Sequence, residues 1–169
     1  MAASARTRFD PYAVLKVLDR HRVAYVVIGA FARVIQGSEE LTRGIDIVPS
    51  TRPENLRRLE EALRDLNAQR ENGRELRFDK QSLEPVIPLR SDAGELKIVP
   101  EPEGTQGYDD LRRAATREPL GQGVRPLVAS LGDLARMLGA RGREIDLENL
   151  RMLRRVIALE RSRGIGWER

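Results

Sequence analysis

Residues 24–50 read AYVVIGAFARVIQGSEELTRGIDIVPS. The run from Val23 to Ile28 is continuous, apolar and rich in β-branched residues, which suits a short strand covered on both faces. Gly29 then opens a helix that carries Phe31, Val34 and Ile35, and Gly37 ends it. A second strand follows from Ile45 to Val48 and stops at Pro49, with one carboxylate, Asp46, amid apolar neighbours. A strand, a glycine turn, a short helix and another strand predict an α/β (α+β) fold. Its sheet is small and mixed, helices pack on one side, and a C-terminal helical segment closes the cleft.

The flanking sequence extends this pattern. Asp10 before Pro11 is a good helix start, and Val14, Leu15 and Leu18 give that helix one buried stripe. It stops near His21. Thr51 and Glu54 have capping-box spacing, with Pro53 in the first turn, and Leu56, Leu59, Leu63 and Leu66 mark one face of the clearest helix. Residues 67–74 form a polar loop ending in Asn72-Gly73. Three antiparallel strands are predicted near 75–78, 85–89 and 95–99, with Asp92-Ala93-Gly94 turning the chain between the last two. Residues 100–107 form an irregular loop, and 108–115 a helical turn or two. Residues 124–129 read as an edge strand, because Pro126 cannot donate to a central ladder. Ser130, with Asp133 three residues on, caps a helix carrying Leu134, Met137 and Leu138, which the glycines at 139–142 break. The last helix starts at Asp146. Leu147, Leu150, Leu153 and Ile157 recur there at helical spacing, while Arg151, Arg154, Arg155 and Arg161 fall mostly elsewhere. This divides the chain into a flexible N-terminus (1–9), a core (10–129) and C-terminal helices packed on it (130–169), in one compact unit.

Composition narrows the chemistry. With 169 residues, 40% hydrophobic and 33% charged, the chain suits one globular domain, and no apolar run is long enough to span a bilayer. The first nine residues lack the apolar segment of a secretory signal, so the cytoplasm is the expected compartment. Cysteine is absent, which excludes disulfides and thiolate metal sites. The lone histidine, His21, cannot build a zinc site or a serine triad and reads as a solvated helix-end residue. Catalysis would therefore fall to carboxylates, Lys, Arg or Tyr. The formal charge is +4, and from Arg141 onward eight arginines face five acidic residues. A basic last helix suits nucleic acid or an acidic partner, against the plainer reading of a solvated arginine face.

The segments VIGA (27–30) and TRGIDIV (42–48) resemble the minimal nucleotidyltransferases of the polymerase-β-like superfamily, in particular the AbiEii-type group of bacterial toxin–antitoxin and abortive-infection systems. That group typically reads TRDIDIL at the second segment. The stretches VPEPEGTQGYDDL (99–111), SLGDLARM (130–137) and GREIDLENL (142–150) are similar to its downstream part, so the resemblance runs from about Tyr25 to Leu150.

The resemblance implies nucleotidyl transfer. Two Mg²⁺ ions roughly 3.5–4 Å apart bridge the triphosphate and activate the attacking oxygen, held by three carboxylates. Two of these lie two residues apart on one strand and so share a face. Carried onto this chain, the pattern puts the second acid at Asp46, the first at Gly44 and the third at Lys97. Gly29 keeps its type and Ala30 replaces a small glycine or serine, both at the phosphate-facing helix start. Leu138 and Ile145 stand where lysines are often seen, while Arg143 and Asp146 keep their types. Such a chain is expected to be a nucleotidyltransferase-fold pseudoenzyme without a cofactor. It would bind a nucleoside triphosphate, an RNA or a toxin–antitoxin protein partner, with Arg43 and Arg143 as positive contacts. Lys97 is expected to form an ion pair with Asp46 in place of the metal charge. Two alternatives stay open. Asp46 and Glu95, helped by Glu39 or Glu40, would hold Mg²⁺ in an active enzyme that modifies a tRNA or a protein. Otherwise the chain is a protein-interaction module that uses its arginine-rich last helix.

Overall fold

In the computed structural model, which describes residues 8–167, Asp10 caps the first helix by accepting from the Ala13 N–H at 3.1 Å. This is α1 (Pro11–Arg20), and Val14, Leu15 and Leu18 are its buried stripe. Most of the N-terminus expected to be flexible lies outside the described residues. Phe9, within that span, packs edge-on against Phe31 with ring centroids 5.7 Å apart. His21 caps the C-terminus of α1, and its Nε2 lies 2.5 Å from Asp65 Oδ2. It is a half-buried link to a neighbouring helix, so the solvated reading is corrected.

The opening segment folds as its pattern predicts, into β1 (Tyr25–Ile28), α2 (Gly29–Ile35) and β2 (Gly44–Pro49). All four residues of β1 are buried, so it is covered on both faces. Next comes α3 (Pro53–Asp65), with Leu56, Leu59 and Leu63 buried. Its N-cap is Arg52, with no side-chain hydrogen bond, so the Thr51–Glu54 capping box does not form. The buried Asn55 fastens this end instead. Its Oδ1 accepts from the Ala24 N–H at 2.7 Å, and its Nδ2 donates to the carbonyls of Ala24 and Ser50 at 2.9 and 2.8 Å.

The chain continues through β3 (Gln69–Arg70), β4 (Ile87–Ser91) and β5 (Gly94–Ile98), then α4 (Tyr108–Leu111), β6 (Thr116–Arg117), β7 (Leu127–Val128), α5 (Leu131–Arg141) and α6 (Glu144–Trp167). The strands form one seven-stranded mixed sheet in the order β3-β4-β5-β2-β1-β7-β6. No strand forms at 75–78; there Phe78 is buried and its N–H donates to Glu60 Oε1. The strand expected at the edge, β7, lies between β1 and β6, and Pro126 just precedes it, where its carbonyl accepts from the Glu118 N–H at 3.0 Å. The α5 helix runs through Gly139 and ends at Gly142, whose φ of 64° is the left-handed stop.

Leu134, Met137, Leu138, Leu150 and Leu153 join the same hydrophobic core as β1, β2 and α3. The β4–β5 hairpin differs from β1. Its residues alternate buried and exposed, which leaves one face of the sheet open beside β2. No helix among the described residues is long and apolar enough to cross a membrane.

Candidate functional site

The open sheet face holds Asp46. Strands β2 and β5 run parallel, with Asp46 opposite Lys97 and Gly44 opposite Glu95, while β1 sets Ile28 opposite Asp46 on the other side. Gly29 sits where β1 becomes α2, at φ 72°, and a Cβ there would lie 2.5 Å from Asp46 Oδ2. Only glycine allows this approach. The carboxylate lines a cavity of about 210 Å³ together with Gly29, Arg33 and Lys97. Leu134, Met137, Leu138 and Arg141 form one wall, at the i, i+3, i+4, i+7 spacing of a single face of α5. Glu101 and Glu103 belong to its lining from the loop after β5, and Pro85 and Glu101 also line a more open cleft of about 620 Å³ that includes Arg52, Lys80 and Tyr108.

Burial pushes the Asp46 carboxyl above the usual carboxylate range, and the charges of Lys97, Arg33 and Arg141 only partly oppose this. The ion pair expected between Asp46 and Lys97 does not form. The two are register neighbours, yet no salt bridge joins them among the described residues; Lys97 is exposed and acts on Asp46 through its field. Arg33 is buried and committed elsewhere, its Nε and Nη2 donating to Glu40 at 2.8 and 2.9 Å. Burial alone would raise the Glu40 carboxyl, but the hydrogen bonds from Arg33 and Ser38 and the Arg33 charge together hold it below its ordinary value.

Glu95, Glu39 and Glu40, the acids expected to complete a metal site with Asp46, are placed otherwise. Glu40 is taken by Arg33, Glu39 is exposed, and Glu95 is exposed on β5 outside the cavity lining. At position 44 a Cβ would lie 2.3 Å from the Glu95 carbonyl oxygen, so no carboxylate side chain fits there at the present strand spacing. Among the described residues no group of three or more His, Cys, Asp and Glu side chains is placed to hold a metal ion. These residues do not fit a pair of Mg²⁺ ions.

Of the other residues singled out in the sequence, Leu138 is buried in the cavity wall, whereas Ile145 is 53% exposed on α6. Ala30 follows Gly29 in α2 without lining the cavity, and Arg43 is exposed outside it. Arg143 is also outside. Its guanidinium donates to Asp146 at 2.6 and 3.0 Å, which holds the Asp146 carboxyl below its usual range. The cavity's arginines are instead Arg33 and Arg141, which sequence reading missed. Arg33 lies one helical turn after Gly29 and Arg141 two turns after Leu134, so helical spacing would have placed both.

No family model matches the chain, and no curated protein sequence matches it. Solved structures do. A Thermotoga maritima protein assigned as a nucleotidyltransferase aligns at 21% identity and a TM-score of 0.55, over 82% of this chain and 86% of that one. The lincosamide antibiotic adenylyltransferase LnuA, solved with lincomycin bound, gives a TM-score of 0.61 at 14% identity, over 88% and 99%. The antibiotic-resistance factor ANT(2'')-Ia in solution gives 0.59 at 14%, over 93% and 92%. At these identities the likeness shows the fold, and the fold of this chain is that of the nucleotidyltransferases.

Proposed function

We propose that the chain binds a nucleotide through its polyphosphate, without the two-metal chemistry of an active nucleotidyltransferase. It is a pseudoenzyme of the AbiEii-like kind, working in the cytoplasm of a bacterium in a toxin–antitoxin or defence setting. The observation that carries this reading is the surroundings of Asp46. Its charged neighbours are Lys97, Arg33 and Arg141, and Gly44 is closed to a second carboxylate by the backbone of β5. Glu101 and Glu103 also line the cavity, but the cations acting on Asp46 disfavour Mg²⁺ beside it, and phosphate oxygens are attracted to the exposed Lys97 and Arg141. The apolar wall on α5 suits a base or sugar face, and the neighbouring cleft gives room for the rest of a ligand larger than the cavity.

Thermal shifts with nucleoside triphosphates test this directly. ATP, GTP, CTP or UTP should raise the Tm in EDTA as much as in Mg²⁺, and Lys97→Ala should weaken the binding by about tenfold. Transfer of label from a radiolabelled triphosphate to protein or tRNA would overturn the reading. So would a shift that appears only with Mg²⁺.

A further inference from the structure

The last helix has a face that the core leaves uncovered. Leu150 and Leu153 are buried and Ile157 packs beside them, but Leu147, Arg151, Arg154, Ala158 and Arg161 are exposed. These five recur at intervals of four, three, four and three residues, the spacing that aligns side chains into one seam along a helix. Among the described residues no carboxylate pairs with Arg151, Arg154 or Arg161. The ion pairs at the start of α6 instead join Arg141 and Arg143 to Asp146. Arg154 and Arg161 line an open groove of about 770 Å³ together with Ile157, Ala158 and Ala135 of α5.

Three kinds of occupant can be weighed by chemistry. A nucleic-acid backbone would use the arginines but gain nothing from Leu147, Ile157 and Ala158. A second copy of the same seam would set arginine against arginine and be repelled. A helix with apolar residues along one stripe and carboxylates beside it satisfies both the groove and the charges. Its acids would meet a C-terminal segment in which eight arginines face five acidic residues. We propose that the Leu147–Arg161 seam of α6 is a docking face for an acidic amphipathic helix of another protein. These residues are separate from the cavity, apart from the shared helix α5, so this proposal and the nucleotide reading succeed or fail independently.

The test is fluorescence anisotropy on the full chain with three labelled probes. One is a synthetic helical peptide of about three heptads with a leucine stripe flanked by glutamates, one is the same peptide with lysines, and one is a duplex RNA of similar length. The glutamate peptide should bind, and Arg154→Glu with Arg161→Glu should weaken it by about tenfold or more while improving the lysine peptide. Both arginines are exposed, and circular dichroism checks that the helix survives; if it does not, Arg154→Gln with Arg161→Gln carries the same test. Equal binding of the two peptides would overturn the proposal, as would an unchanged glutamate peptide in the variants. Tighter binding of the RNA, lost in the same variants, would assign the seam to nucleic acid instead.

Discussion

Asp46 is held at a cost. Burial raises its carboxyl, the described residues offer it no side-chain hydrogen bond, and the nearby cations act on it only through space. Since the folded state binds the proton more tightly than the unfolded state, stability falls as pH rises from the unfolded value through the raised one. Asp46→Asn removes that loss. The variant should have a higher Tm than the parent at about pH 7 and the same Tm at about pH 3, where both carry a neutral side chain. A lower Tm at neutral pH would mean that attraction to Lys97, Arg33 and Arg141 outweighs burial. Position 44 makes a second residue-scale case. A Cβ there meets the Glu95 carbonyl at 2.3 Å, so Gly44→Asp must push β5 away from β2. It should cost about 1–3 kcal/mol in urea denaturation and create no Mg²⁺ response. A stable, metal-binding Gly44→Asp would show that the strands yield easily and that this site is one substitution from a ligand pair.

Among the elements, two helix starts that look alike in sequence are held in different ways. Ser130 accepts from the Asp133 N–H at 3.1 Å, as its spacing predicts. Thr51 caps nothing, because α3 begins two residues later and Asn55 ties its first turn to Ala24 and Ser50, which flank β1 and β2. Ser130→Ala should therefore cost about 1 kcal/mol in chemical denaturation, and Thr51→Ala no more than about 0.5 kcal/mol. A large loss at Thr51 would contradict this assignment. The same contrast shows what was legible in the sequence. The β1–α2–β2 segment, α1, α3 and the two C-terminal helices announced themselves through apolar periodicity and turn residues. The two-residue strands β3, β6 and β7 carry too few side chains to show a period, and pairing rather than propensity creates them. Phe78 is buried by anchoring to Glu60, which no local pattern around Glu75 could reveal.

At the scale of the whole molecule, the candidate site is assembled from β1, α2, β2, β5, α5 and the loop after β5. Asp46, Gly29, Lys97 and Leu138 were singled out by the resemblance to the nucleotidyltransferases, and all four line the cavity. The charge balance could not be read in that way, because it depends on which arginines the tertiary structure commits. Arg143 is spent on Asp146 and Arg33 on Glu40, while Arg141, 3.9 Å from the same Asp146, also lines the cavity through the helical face it shares with Leu134 and Leu138. With β5 closed against Gly44, the proposed function rests on the cations that act on Asp46, in a lining that also holds Glu101 and Glu103. Calorimetric titration of ATP into the parent chain and Asp46→Ala, in EDTA and again in Mg²⁺, tests that claim most directly. Binding that persists in EDTA and is unchanged or tighter in Asp46→Ala is the result predicted. Binding that requires Mg²⁺ and vanishes in Asp46→Ala would contradict it and return the site to metal-dependent nucleotidyl transfer.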